Sequence, residues 1–143
     1  MHTQNDLSAA EIQDLRCVAG LMIPASAELA MPGADDDAVI ADIVATIGRD
    51  LIEVRRALAE IAGLAGRTPV ARDAAVAAWR AAGGVPLATL SRVILQCYYR
   101  DDRVVRALGR EARAPYPLGN VLEQGDWSLL DPVRTRAPIW RRV

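Results

Sequence analysis

The sequence predicts an all-α protein, a small bundle of about four to five helices with an extended, Pro- and Trp-containing C-terminal tail. Three observations lead there. Apolar residues recur at three- and four-residue steps up to Gly109, helix start and stop signals punctuate that pattern, and both features fade from Arg110 onward. The 143 residues are about one domain's worth of chain, enough to bury roughly two-thirds of the surface exposed on unfolding. Residues 1–109 are therefore expected to form the helical domain and residues 110–143 the tail.

Ser8 with Glu11 three residues later is a capping-box pattern, in which each residue satisfies an amide that a helix start leaves without a partner. Behind it Ile12, Leu15, Ala19 and Met22 share one face of a helix over about residues 9–22, and Pro24 ends it. Pro24 to Asp37, with Pro32-Gly33-Ala34 and three consecutive Asp, reads as a loop whose last acids cap the next helix and meet its positive end. From about Ala38 to Ala65 the residues Ile40, Val44, Ile47, Leu51, Val54, Leu58 and Ile61 repeat at steps of 4, 3, 4, 3, 4 and 3. All seven are expected on one face of a single long helix, the central element of the bundle. Gly48 weakens its middle, and Gly63 and Gly66 offer places to stop.

Thr68-Pro69 is an N-cap followed by proline at the first helical position, and it opens an Ala-rich helix through Trp79 to Ala82. Gly83-Gly84 breaks the chain there. Pro86 restarts a helix in which Leu87, Leu90, Ile94, Cys97 and Tyr98 line one face, and Asp101 caps a short last helix ending near Gly109. From Arg110 the chain holds four Pro, two Gly and two Trp. It also carries Tyr116, Val121, Leu122, Leu129, Leu130 and Ile139, more apolar surface than a disordered tail has, so it needs something to lie against.

Every cationic side chain is Arg, a planar fork suited to carboxylates and stacked contacts. Residues 1–66 hold eleven acids against four Arg, and residues 67–143 hold seven acids against thirteen Arg, so the charge is dipolar along the chain. The net charge of -1 and the interleaving of Arg with acids argue against a nucleic-acid partner. Cys17 and Cys97 make no disulfide framework and no CxxC pair; both fall on apolar helix faces and are read as buried free thiols. No run approaches the roughly 20 apolar residues of a membrane span, and the N-terminal stretch has no export-signal pattern, so no membrane insertion is expected and the cytoplasm is the expected location.

The search for chemistry finds no catalytic, cofactor-binding or metal-ligating set. His2 is the sole histidine, so no interior imidazole is available as a base or ligand. Asp35-Asp36-Asp37 lacks the spacing and Gly of a calcium loop. Asp50 and Glu53 share a helix face and could form an acid pair, but surface pairing with Arg49, Arg55 or Arg56 explains them more simply. No phosphate-cradling glycine loop or nucleophile elbow occurs. The unusual feature is the set of aromatic residues mixed with Arg in the second half. Trp79 and Tyr98 are expected in the core. Tyr99, Tyr116, Pro117, Trp127, Trp140, Arg134, Arg136 and Arg141 are candidate partner contacts, since Trp, Tyr and Arg dominate interface hot spots. For Trp127 and Trp140, partner contact and folding back onto the chain's own bundle are both open.

Leu7-Ser8, Glu11, Leu15, Ala19 and Ile23-Pro24-Ala25 resemble the opening L-[ST]-x-x-E and I-P-A pattern of the gluconate 2-dehydrogenase subunit 3 family, small subunits of bacterial flavin-dependent sugar and alcohol dehydrogenases. Tyr98 to Val104, Gly109 and Pro115-Tyr116-Pro117-Leu118-Gly119 are similar to its later Y-x-D-x-x-V, G and P-x-P-x-G portion. The resemblance implies a helical subunit without a cofactor of its own that clasps a large FAD-containing subunit of the glucose-methanol-choline type. It carries over no catalytic residue, only Pro24, Tyr99, Asp101, Gly109, Pro115 and Pro117 as structural or interface positions. Many such subunits begin with a twin-Arg export signal, and none is seen in this sequence, so either the expected complex is cytoplasmic, or it is periplasmic and the signal belongs to the partner or has been removed from this chain. The function expected is thus that of a non-catalytic accessory subunit in a hetero-oligomer. The alternatives are a stand-alone helical regulatory or ligand-binding protein, marked by a pocket of its own, and a cofactor-free lyase or isomerase, which no spacing supports.

Overall fold

The computed structural model describes residues 6–114, 116, 117, 119 and 125–137. Every regular element among them is helical: α1 (Ala9–Met22), α2 (Asp37–Thr46), α3 (Leu51–Glu60), α4 (Pro69–Ala82), α5 (Val85–Tyr98), α6 (Asp102–Ala107) and α7 (Asp131–Arg134). Tight 3-10 turns occur at Gly48–Asp50, Leu64–Gly66 and Trp127–Leu130. The all-α class is as expected, but seven helices replace the four or five expected among the described residues. One extra helix comes from a split of the central element and one from a helical stretch within the expected tail. The chain falls into two units, Met1–Ala112 and Arg113–Val143.

Local chemistry sets the helix starts of the first unit. The Ser8 amide donates to Glu11 at 2.7 Å while the Ser8 hydroxyl accepts from the Glu11 amide at 3.3 Å, the reciprocal cap of α1. Asp36 accepts from the Ala38 amide at the start of α2, Thr68 from the Ala71 amide at the start of α4, and Asp101 from the Arg103 amide at the start of α6. Each satisfies one of the four donors that a helix start orphans.

The seam of apolar residues is buried, with Val44 partly so, but the helix that carries it is not continuous. Gly48 takes φ +42°, a left-handed conformation that strains any residue with a Cβ, and the chain turns there between α2 and α3. Both halves pack on α5, whose Leu90, Val93, Ile94, Cys97 and Tyr98 are buried between them. Helix α1 lies against α2, α3 and the Leu64–Gly66 turn, and α4 joins that turn. Trp79 is buried as expected, and its indole N–H donates to Glu60 at 2.6 Å.

Two long-range polar contacts pin the connections. The Tyr98 hydroxyl donates to the carbonyl of Pro32 at 2.9 Å, tying the α1–α2 loop to the core. Asp14, 6% exposed and the one buried charged residue among those described, accepts from the amides of Gly63 and Ala65, each at 2.8 Å. Those amides follow α3, where no helical acceptor remains for them. In the second unit, Asp126 accepts from the amide and hydroxyl of Ser128 at 3.0 and 2.6 Å and so starts the Trp127–Leu130 turn. Pro132 sits in the first turn of α7, where its missing N–H leaves no bond unmade, so a segment expected to be extended turns helical here.

Removing the Asp14 carboxylate strands two desolvated amides. At roughly 1.5–3 kcal/mol for a hydrogen bond to a charged group, Asp14→Ala is expected to lower stability by about 3 kcal/mol. Urea denaturation of the full chain should show this as a lower midpoint with an unchanged slope.

Candidate functional site

Arginine forks tie the end of the bundle where α5 runs into α6. Arg103 grips Asp36 at 2.6 and 3.2 Å and Asp101 at 2.8 and 3.0 Å, joining the two acids that cap α2 and α6. Those bonds hold both carboxyls below the ordinary carboxylate range. Arg100 reaches Asp42 at 2.5 and 3.1 Å and the Thr46 hydroxyl at 3.0 Å. Beneath them lies Cys97, its Sγ 3.6 Å from Thr46 Oγ1 and 3.5 Å from the Arg100 guanidinium. A depression of about 290 Å³ opens here, lined by Asp42, Cys97, Arg100 and Asp101 among others. Burial pushes the Cys97 thiol above its ordinary range, which favours the protonated form. The neighbouring Tyr99 is 53% exposed, its ring edge-on to Tyr98 with centroids 5.2 Å apart.

The structure places Tyr116, Pro117, Trp127, Arg134 and Arg136 together in the second unit and Tyr99 in the first. Tyr116 is 88% and Trp127 62% exposed, and Leu129, Leu130 and Val133 are exposed with them. Arg134 pairs with Asp131 one turn back at 3.5 Å. Trp140, Arg141 and His2 lie outside the described residues, as does Pro115. Of the other positions carried by the resemblance, Asp101 is a helix cap, Gly109 occupies a turn with φ +73°, and Pro24 lines a groove beside α1.

The conceivable acid pair is taken up structurally: Asp50 meets Arg92 of α5 at 2.7 Å rather than a neighbour in sequence, and Glu53 meets Arg56 at 2.6 Å. Cys97 is buried as expected, but Cys17 is not fully so. It lines the groove beside α1, with Ala65 and Arg72 also in the wall. Sequence reasoning missed Asp14, Arg72 and Asp35, which act through partners or walls distant in the chain. Among the described residues there is no group of three or more His, Cys, Asp or Glu that could hold a metal, and no helix is long and apolar enough to cross a membrane. Comparison with protein-family models, with characterised proteins and with solved structures finds no match to this chain.

The Arg103 clamp makes stability depend on acid pH. A carboxyl whose pKa is depressed by folding stabilises fully above its unfolded pKa, about 3.9 for Asp, and loses that contribution as pH falls through the lower folded value. Arg103→Gln is expected to be less stable than the parent by about 1 kcal/mol near neutral pH, since the pairs are partly solvated. The gap should close as the pH drops below the ordinary Asp range. Denaturation midpoints of both proteins across that acid series check it.

Proposed function

We propose that this chain is a non-catalytic accessory subunit of a flavin-dependent dehydrogenase complex that oxidises a sugar or alcohol, and that it stabilises the large FAD-containing subunit of that complex. The observation that carries this reading is the exposed aromatic and aliphatic set of the second unit, Tyr116, Trp127, Leu129 and Val133. Exposed apolar area gains roughly 25 cal/mol per Å² when a partner covers it, and Trp and Tyr give large contact areas at small entropic cost. Pro117 and Pro132 restrict the free chain, so less entropy is lost on docking. Arg134, Arg136 and Arg141 supply a charged rim for an acidic partner surface, with Trp140 a further anchor. Tyr99, exposed at the α5–α6 corner, offers a contact from the first unit. The resemblance of Leu7 to Ala25 and of Tyr98 to Gly119 to the small dehydrogenase subunits names the partner class. Oxidation takes place wholly on the partner's FAD, and the complex is cytoplasmic or, if the partner carries an export signal, periplasmic. One observation favours the second reading, a stand-alone ligand-binding protein: the groove beside α1.

The test is capture of the flavin-carrying subunit from the native host by the full-length chain, scored by flavin absorbance and dehydrogenase activity in the captured complex. Trp127→Ala is expected to weaken capture by about 2–4 kcal/mol, thirtyfold or more, and Arg136→Ala by about 1 kcal/mol or less. Equal capture by parent and Trp127→Ala, or stoichiometric flavin on the purified single chain, overturns the reading.

A further inference from the structure

A groove of about 440 Å³ opens on the first unit, walled by α1, by Pro24 and Asp35 of the following loop, by Ala65 and by Arg72 of α4. That volume lies in the range of small-molecule sites. Two opposite charges face it, and neither is paired with an opposite charge among the described residues. Arg72 donates through Nη2 to the carbonyls of Ala65 and Arg67, both at 3.3 Å, while its Nε is buried without an acceptor. No carboxylate pairs with it among the described residues. A partly desolvated guanidinium without a counter-ion is a place for an anion.

Asp35 stands on the other wall. Its carboxylate makes no hydrogen bond or ion pair among the described residues, yet its position is shaped. A Cβ on Gly33 would lie 2.2 Å from its Oδ1, and one on Gly20 3.1 Å from its Oδ2. Neither glycine has a positive φ; a Cβ at Gly20 would crowd this carboxylate, and one at Gly33 would meet both the carboxylate and the Ala25 amide nitrogen at 3.0 Å. Arg16, also in the wall, directs its fork to the Asp35 carbonyl at 2.5 Å and to the Asp37 carboxylate at 2.8 Å, which leaves the Asp35 carboxylate unpaired. The rest of the lining is Cys17, Gly20, Leu21, Pro24 and Ala65, small or apolar, with Gln13 a further polar group. A cation alone would leave the partly desolvated Arg72 without a counter-ion, and an anion alone would leave the exposed Asp35 carboxylate to water, so a ligand that carries both charges meets both walls.

We propose that this groove binds a small aliphatic zwitterion of the amino-acid class, its carboxylate on Arg72, its ammonium on Asp35 and its apolar part against Leu21 and Pro24. The site does not depend on the accessory-subunit reading and is compatible with either function above.

Calorimetric titration of the full-length chain with L-leucine and with δ-aminovalerate tests it, with N-acetyl-L-leucine and L-leucinamide as singly charged controls. At least one zwitterion is expected to bind, and its singly charged counterparts to bind at least about tenfold more weakly. Asp35→Asn, isosteric and at an exposed side chain that makes no hydrogen bond, should lose about tenfold in affinity, and Arg72→Gln as much or more. If Arg72→Gln fails to fold, as circular dichroism will show, Asp35→Asn and the two controls decide. The proposal is overturned if neither zwitterion binds up to about 20 mM, if Asp35→Asn binds as tightly as the parent, or if N-acetyl-L-leucine matches L-leucine. It is also overturned if no zwitterion binds while both variants lose capture of the flavin subunit, because the groove is then a protein contact. Zwitterion binding without any flavin-subunit capture would leave this site standing and remove the accessory reading.

Discussion

The left-handed turn at Gly48 decides how the first unit can be packed. A straight helix from Ala38 to Ala65 would run about 42 Å, whereas the 14 residues of α5 span about 21 Å. Half of the apolar seam would then have no helix to lie against. Folding the seam into α2 and α3, ten residues and about 15 Å each, lets Ile40 and Ile43 on one side and Leu51, Val54 and Leu58 on the other meet the same partner. α5 becomes the central helix because both halves are brought to it. A residue with a Cβ at Gly48 would resist that turn, so one small side chain supports the burial of many large ones.

The polar contacts divide by burial into two kinds with different weight. Asp14, Tyr98 and Trp79 are buried and tie segments far apart in sequence, the loop at Pro32, the turn after α3 and the end of α3 itself. In a desolvated setting a missing partner leaves an unpaired group at full cost. The arginine pairs, Arg92 with Asp50, Arg100 with Asp42 and Arg103 with Asp36 and Asp101, lie nearer water and each contributes less. Their planar forks nevertheless fix direction, and several of them connect α2 and its flanking turns to α5 and α6. The buried contacts fix the loops, and the arginine pairs add links between the helix ends.

The two units treat apolar side chains differently. The first encloses its own in one core, with Tyr98 and Trp79 inside it. In the second, Trp127, Leu129 and Val133 are exposed. This contrast supports assigning recognition to the second unit and, in the first, to a groove whose walls carry unpaired charge rather than apolar area.

Local signals were legible in the sequence. Ser8 with Glu11, Thr68-Pro69 and Asp101 located three helix starts, and periodicity identified the buried Leu15 and Ala19 of α1, most of the seam, and Leu90, Ile94, Cys97 and Tyr98 of α5, though not Val18 or Val93, because caps and amphipathic faces depend on residues a few positions apart. Gly48 was visible as a weak point, but whether a glycine in a helical pattern is tolerated or turned depends on the length of the helix it must pack against, which lies forty residues away in the chain. Asp14 carries no local signal in the sequence, and its role exists only because the turn after α3 returns to it. The groove was illegible for the same reason: Gly20, Asp35 and Arg72 meet through folding, not through spacing. The sequence by itself determined the all-α class and most helix starts of the first unit, since those are properties of neighbours along the chain. The tertiary structure alone decided where the central helix breaks, which acid is buried and which charges are left unpaired, since each of those depends on what the fold brings within a few ångströms.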